Sequence, residues 1–134
     1  MLTENHIINI LADYLEKDGY KIIQKLTTQE KGVDIRAEKN GVTLYVEAKG
    51  ETSSKESSNR HGKPFTKNQV GTHVSVALLT SLKVLSKDDK NSKKVAMAFP
   101  DNKNHREIIE LIAPALRRTG IVTYLVKENS VIEI

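Results

Sequence analysis

The sequence predicts an α/β protein with a mixed central sheet flanked by helices. Helical patterns of apolar residues cover 3–17, 66–85 and 101–118, and short runs with strand character separate them. One such run, Val95–Phe99, is continuously apolar, as expected for a central strand covered on both faces. The predicted order is αβββαβαβ(β), in which the last strand is a short edge strand. With 134 residues, the chain is expected to form a single domain over 1–134.

The first helix is predicted over Thr3–Lys17. Thr3 is a suitable N-cap, and Asp18-Gly19 ends the pattern. A strand is predicted to begin at Tyr20–Ile23. The buried face of the helix is predicted to consist of apolar residues at helical spacing, namely Ile7, Ile8, Leu11, Ala12 and Leu15.

Two alternating runs, Asp34–Lys39 and Val42–Gly50, are predicted to form a β-hairpin. The dipeptide Asn40-Gly41 joins them, and it is the strongest short signal for a two-residue turn because both positions require a positive φ. The turn fixes the register of the two strands, since its flanking residues must pair with each other.

This register predicts that Asp34 lies directly opposite Glu47. Lys49 shares their face because side chains alternate along a strand. The opposite face is apolar and is expected to be buried, and it consists of Val33, Ile35, Val46 and Ala48.

The second half of the chain continues the alternation of helices and strands. The helix over 101–118 contains Pro114, which is expected to kink it or to split its last turn, and Gly120 ends it. Strands are predicted at Ile121–Val126 and Val131–Ile134.

Several classes of protein are excluded by composition. No apolar run approaches the roughly 18 residues that a membrane-spanning helix needs, and the first residues lack the basic region of a secretory signal. The chain has no cysteine, which excludes a disulfide framework and zinc sites built on thiolates. We therefore expect a cytoplasmic protein with no membrane partner.

The positive charge of the chain is concentrated in its middle. The formal net charge is +4, and residues 49–103 carry 11 basic and 5 acidic side chains. Such clustering fits a polyanionic partner, of which nucleic acid is the commonest. It equally fits a solvated lysine-rich surface, so charge alone leaves the partner open.

Residues 51–64 are predicted to form a flexible polar loop, because they contain no apolar side chain before the closing proline. Lys55, Arg60 and Lys63, with Lys67 beyond them, alternate with hydroxyl side chains. Such residues bind phosphates without reading bases, which predicts a DNA-binding role. The alternative is a solvated loop without a function.

The pairing of Asp34 with Glu47 requires an explanation, because like charges across a ladder destabilise a sheet. A divalent cation provides one: these carboxylates and the Ala48 carbonyl suit Mg²⁺, with Mn²⁺ as a substitute. Lys49 cannot ligate while protonated, but it can stabilise negative charge on a phosphoryl oxygen. In the alternative interpretation the strand face is exposed, and Lys49 merely neutralises the acids.

The segments Gly32-Val33-Asp34-Ile35 and Tyr45-Val46-Glu47-Ala48-Lys49-Gly50 resemble the core motif of the PD-(D/E)xK nuclease superfamily. The chain is most similar to archaeal-type Holliday junction resolvases. Val33 stands where the family name has Pro, and many members share this departure.

The resemblance implies a restriction-endonuclease-like fold and a Mg²⁺-dependent endonuclease that hydrolyses phosphodiester bonds in branched DNA. It also implies a homodimer, since resolvases cut two strands symmetrically. The alternatives are a restriction or defence-type nuclease and a DNA-binding module of the same fold that does not cleave.

The resemblance adds Glu4 and Gln69 to the expected site. Resolvases carry a Glu at the start of the first helix, and Glu4 lies on the same helical stripe as the buried residues. A first-turn Glu that is favoured by the helix dipole is the alternative. In several nuclease subfamilies a Gln such as Gln69 supports the site, with Tyr where this chain has His73. Ordinary roles on the helix surface are the alternative for Gln69 and His73.

Overall fold

A computed structural model describes residues 1–26, 33–52, 63–88 and 92–134. These residues form an α/β structure whose mixed sheet has six strands and is flanked by helices, which confirms the predicted class. Within them no helix is long and apolar enough to cross a membrane. The elements are α1 Glu4–Lys17, β1 Lys21–Lys25, β2 Ile35–Lys39, β3 Val42–Ala48, α2 Lys67–Ser86, β4 Lys93–Pro100, α3 Lys103–Thr119, β5 Val122–Lys127 and β6 Ser130–Glu133.

The strands lie in the order β1-β2-β3-β4-β5-β6. The first three strands are antiparallel neighbours, β3, β4 and β5 run parallel, and β6 returns antiparallel to β5. The helices α2 and α3 make the two parallel crossovers. The central strand β4 is buried from Val95 to Pro100 because helices cover both faces of the sheet.

Two apolar clusters hold the helices on the sheet. On one face the buried side of α1 packs against β2, β3 and β4, and all five apolar residues predicted for that side are buried. On the other face α2 and α3 pack around Met97 and Phe99 of β4. Each fully buried Leu, Ile or Phe stabilises such a cluster by about 1.5–3 kcal/mol.

The β2–β3 hairpin has the predicted register. Asn40 and Gly41 both have positive φ, 53° and 78°, as a type I′ turn requires. The pairs run from Lys39 with Val42 to Ile35 with Val46. The regular ladder stops there, so the predicted cross-strand pair of Asp34 with Glu47 is not part of it.

Asp34 bonds to β3 in another way, because its amide donates to the Val46 carbonyl at 3.0 Å. Asp34 and Ile35 are therefore both buried although they are consecutive. The expectation that Val33 is buried on the apolar face is wrong: it lies outside the strand and is half-buried. Strict alternation cannot extend beyond the end of the ladder.

Other element boundaries differ from the predictions by one or two residues. The strand β4 begins at Lys93, two residues before the predicted run Val95–Phe99. Pro114 lies inside α3, which continues as one helix to Thr119 and ends at Gly120 with a left-handed φ of 78°. The expected splitting of its last turn is therefore wrong, and the exposed position of Pro114 explains why the helix tolerates it.

The chain after β3 passes directly against the start of α1. A Cβ atom on Gly50 would lie 2.4 Å from the amide nitrogen of Glu4 and 2.7 Å from the carbonyl carbon of Thr3. These contacts are with backbone, which cannot rotate away as a side chain would. Only glycine fits here, and its fit brings the first turn of α1 to the end of β3.

We predict that Gly50→Ala lowers the free energy of unfolding by about 1–3 kcal/mol, because the added methyl group would force the two backbones apart. Urea denaturation measures the change. The matched control is Gly71→Ala in α2, where the nearest atom to a new Cβ is Ile108 Cδ1 at 4.0 Å. That substitution should stabilise the protein by about 0.5–1 kcal/mol, as alanine does within a helix. Equal effects of the two substitutions would contradict the close packing at Gly50.

Candidate functional site

Three carboxylates meet where β3 ends. One oxygen atom from each of Glu4, Asp34 and Glu47 lies within 4.8 Å of the others. They come from the first turn of α1, from the residue before β2 and from β3. The structure therefore brings together all three acidic residues that the sequence suggested, and the group could hold a metal ion.

The carboxylates approach from the two faces of the sheet. Glu47 is in register with Met97, whose side chain belongs to the α2 and α3 cluster, so Glu47 projects toward that face. Glu4 belongs to α1, which covers the other face. The packing at Gly50 lets the first turn of α1 reach around the end of β3.

Burial excludes the interpretation of an exposed strand face. The residue Asp34 is 6% exposed, and the side chains of Glu47 and Lys49 are 12% and 21% exposed. A solvated face that neutralises itself would leave these groups in water. Their burial means that each charge has lost most of its hydration and depends on its neighbours.

Asp34 is anchored by the backbone of β3. The Ala48 amide donates to Asp34 Oδ2 at 2.7 Å. Burial raises the pKa of Asp34 to about 6, although this hydrogen bond and the charge of Lys49 both act to lower it. Ala48 thus contacts the site through its N–H, and the ligand role of its carbonyl oxygen stays a prediction.

The pKa values of the two glutamates are raised further. Burial, followed by the charge of Asp34, raises the pKa of both Glu4 and Glu47 to about 7. Lys49 acts in the opposite sense on all three acids, and its Nζ lies 3.6 Å from Glu47 Oε1. When all are ionised, three carboxylates and one ammonium leave two surplus negative charges, which a single divalent cation would balance.

Lys49 is held in place at both ends. Its backbone amide donates to the Ala98 carbonyl of β4 at 3.0 Å, and its side chain lies beside Glu47. The ammonium group is therefore fixed next to the carboxylates on the face that the hairpin register predicted. A fixed charge at this position can stabilise an anionic group that contacts the metal ligands.

Gln69 has a structural role in α2. Its Oε1 accepts from the Thr66 amide at 2.8 Å, and its own amide donates to Thr66 Oγ1 at 3.3 Å. This reciprocal pair is a capping box, and it engages the side-chain oxygen of Gln69. The structure thus favours the ordinary helix role, and support of the acidic cluster by Gln69 stays a prediction.

His73 lies beside the site on α2. Burial and the charge of Lys49 lower the pKa of His73, which favours the neutral ring. The ring packs edge-on against Phe65, with 4.4 Å between centroids, and its buried Nδ1 has no hydrogen-bond partner among the described residues. The sequence singled out this position only as a mismatch to Tyr, and it gave no signal for the contact with Phe65.

The predicted DNA-binding residues fall into two groups. Lys55 and Arg60, with most of the predicted loop, lie outside the described residues. Lys63 is exposed, and Lys67 Nζ lies 3.4 Å from Glu107 Oε2 on α3 with both groups in water. Such an exposed pair is weak, so Lys67 remains available to a phosphate.

The sequence missed a group of polar residues behind the site. Glu51, Asn102 and the fully buried His105 are joined by hydrogen bonds. Together with Phe65 they line a cavity of about 260 Å³ between the first turns of α2 and α3. The first of these residues comes only two positions after Lys49, but it has no periodic or motif spacing to the others.

We predict that, without metal, raising the pH from 5 to 8 destabilises the protein through the acidic cluster. Because the pKa values of these carboxyls are raised in the folded state, that state binds more protons at pH 5 than the unfolded state does. This proton binding stabilises the fold, and the stabilisation is lost as the pH rises through 6–7. Urea midpoints across this range measure the loss. Glu4→Gln should reduce it by about 1 kcal/mol after allowance for solvent screening.

The matched control for this prediction is Glu16→Gln, an exposed glutamate on the same helix, which should leave the pH profile unchanged. Added Mg²⁺ should restore stability above pH 7, because deprotonated carboxylates bind the ion. Stability that stays constant or rises from pH 5 to 8 in the absence of metal would contradict the raised pKa values of these carboxyls.

Comparison with known proteins identifies no relative of this chain. The chain matches no family model, no curated protein and no solved structure. The chemistry of the site therefore rests on its own residues, their burial and their distances.

Proposed function

We propose that this protein is a Mg²⁺-dependent DNA endonuclease with a restriction-endonuclease-like fold, related to the PD-(D/E)xK nucleases. The observation that carries the proposal is the convergence of Glu4, Asp34 and Glu47 within 4.8 Å, with Lys49 beside them. A carboxylate directly before β2, a second on the adjacent strand β3 and a lysine two residues after the second are the residues that the superfamily motif requires. Their burial and their surplus negative charge support the binding of a hard divalent cation.

In the proposed mechanism Asp34, Glu47 and the Ala48 carbonyl would hold the metal. A bound Mg²⁺ would supply Lewis-acid polarisation of the phosphodiester and a water of lowered pKa. Lys49 stabilises the negative charge that develops on the phosphoryl oxygens as the water attacks in line. Glu4 orients the attacking water or holds a second ion, because its carboxylate completes the cluster.

Branched DNA is the proposed substrate, and a four-way junction is the first choice. The basic excess over residues 49–103 supports a polyanion, and the polar segment 51–64 begins immediately beyond Lys49 and Gly50. Phosphate contacts from this segment would follow the backbone of DNA without reading its sequence. A homodimer would present two such sites for symmetric cleavage of two strands.

The direct test is incubation of the protein with supercoiled, linear and four-way-junction DNA, each with Mg²⁺ and with EDTA. Cleavage of the junction that depends on Mg²⁺ is expected. Cleavage of all three substrates would instead favour a restriction or defence-type nuclease. Tight binding of the junction without cleavage across Mg²⁺ and Mn²⁺ titrations would contradict the proposal and favour a DNA-binding module.

We predict that Lys49→Ala and Asp34→Asn impair cleavage in different ways. Loss of the ammonium should reduce the rate about 100- to 1,000-fold, or about 2.7–4 kcal/mol in transition-state stabilisation, with little change in DNA affinity. Asp34→Asn should weaken metal binding, so excess Mg²⁺ should partly restore its activity. Single-turnover cleavage across a Mg²⁺ titration separates the two effects.

The control for both variants is Lys21→Ala, which removes an exposed lysine from β1 and should leave the rate unchanged. Rescue of Lys49→Ala by Mg²⁺ would assign that residue to metal binding. Retention of full activity by Asp34→Asn would remove Asp34 from the site.

We also predict that replacing Lys55, Arg60 and Lys63 with Gln weakens binding to all DNA sequences equally. The slope of log affinity against log salt should decrease by about 0.9 for each phosphate that the variant no longer neutralises, as measured by fluorescence anisotropy. The control makes the same charge change in the first part of the chain, at the exposed Lys17, Lys21 and Lys25. A slope that changes only in the control protein would place the binding surface elsewhere.

A further inference from the structure

Glu51 makes two hydrogen bonds to the backbone that leads into α1. Its backbone amide donates to the Leu2 carbonyl at 2.8 Å, and its side-chain Oε1 accepts from the Leu2 amide at 2.7 Å. Both polar groups of the Leu2 backbone are therefore bonded to one residue. Glu4, which carries one of the three clustered carboxylates, lies only two residues further along.

The second oxygen of Glu51 is fixed from the opposite side. Asn102, the N-cap of α3, donates from Nδ2 to Glu51 Oε2 at 2.9 Å. The side-chain amide of Asn102 cannot flip and exchange Oδ1 with Nδ2. Its Oδ1 accepts from the His105 backbone amide at 3.0 Å and lies 2.8 Å from His105 Nδ1. Since a carbonyl oxygen only accepts, Nδ1 of His105 carries the proton.

These contacts specify a carboxylate at position 51. Leu2 N–H and Asn102 Nδ2 are both donors, and they point at different oxygen atoms of the same side chain. A glutamine would have to direct its own NH₂ group at one of these two donors. One hydrogen bond would then be replaced by a contact between two donors in a partly buried position.

The hydrogen-bonded contact between Glu51 and Leu2 has little room for adjustment. Gly50 packs so closely on Leu2 and Glu4 that a Cβ atom would lie 3.0 Å from the Leu2 carbonyl oxygen and 2.4 Å from the Glu4 amide nitrogen. Movement of Leu2 away from Glu51 would therefore shift the first turn of α1 along the end of β3. The Glu4 carboxylate would move with that turn.

We infer that Glu51 is a positioning residue, which holds Glu4 in the metal-binding cluster by linking Leu2 to Asn102, the N-cap of α3. This inference rests on the proposed function, because it assigns Glu51 a role at the same metal site. The charges that act on the Glu4 carboxyl are those of Asp34 and Lys49, whereas the charge of Glu51 acts on His105. Glu51 thus affects Glu4 through geometry.

The experiment measures the affinity of the full chain for Mn²⁺ by calorimetry in four proteins: the wild type, Glu51→Gln, Glu4→Gln and the double variant. Loss of a residue that orients a metal ligand weakens binding about 10- to 100-fold, and we expect this loss for Glu51→Gln. In the Glu4→Gln background the same change should have no further effect, because the ligand that Glu51 positions is already absent. Glu38→Gln, at an exposed site on β2, is the matched control.

A second variant separates the effect of the hydrogen bonds of Glu51 on Mn²⁺ binding from an effect on general stability. Asn102→Asp keeps an oxygen that can accept from the His105 amide, so the cap of α3 is preserved. It places a carboxylate against Glu51 Oε2 in place of the donor, and it should weaken Mn²⁺ binding in the same Glu4-dependent way. Its urea midpoint is measured alongside that of Glu51→Gln.

Wild-type affinity in Glu51→Gln would overturn the inference and leave the proposed function intact. Equal weakening in both Glu4 backgrounds would also overturn it, because Glu51 would then act without Glu4. If the wild type binds no Mn²⁺, the proposed function fails and the inference fails with it. Loss of affinity confined to the proteins that retain Glu4 would support it.

Discussion

The candidate site depends on one close contact, in which Gly50 packs against the backbone of Leu2–Glu4. This contact brings α1, which covers one face of the sheet, to the end of β3, where Glu47 projects from the other face. Without it, Asp34 and Glu47 would form a pair of acids on a hairpin, and Glu4 would be a helix residue facing the core. The hydrogen bonds of Glu51 reinforce the same contact, so the geometry of the cluster is set by backbone packing.

The cluster is costly to the fold when it holds no cation. Two ionised carboxylates about 5 Å apart repel each other by roughly 3 kcal/mol at an effective dielectric constant near 20. Lys49 offsets part of that repulsion, but its ammonium group faces three acids. Burial removes water that would otherwise screen them. A fold under selection for stability alone would gain from replacing these acids, whereas a metal site needs them in this state.

Local rules explain which parts of the structure the sequence could predict. The hairpin register followed from Asn40-Gly41, since few other dipeptides accept two positive φ values, and the buried side of α1 followed from the helical period. The capping box of α2 was also readable, because Thr66 and Gln69 have its spacing, but the sequence interpretation considered for Gln69 only support of the site or an ordinary place on the helix surface.

The remaining features depend on contacts between distant parts of the chain. The bonds of Glu51 reach across 49 residues to Leu2 and across 51 residues to Asn102, and no periodic pattern encodes such partners. Burial of the acidic face likewise follows from the docking of helices on both sides of the sheet. The half-buried position of Val33 reflects the end of a ladder, which alternation within one strand does not reveal.

The position of the turn between β2 and β3 also has a kinetic consequence. A hairpin with a two-residue turn closes within microseconds, whereas parallel pairing of β3 with β4 requires a crossover through α2 and forms slowly. Asp34 and Glu47 can therefore meet early in folding, but Glu4 joins them only after α1 has docked on the assembled sheet. The cluster of three carboxylates is therefore incomplete in the early hairpin. The binding energy of a cation at the complete cluster would accordingly act on the native state and slow unfolding without accelerating the first steps of folding.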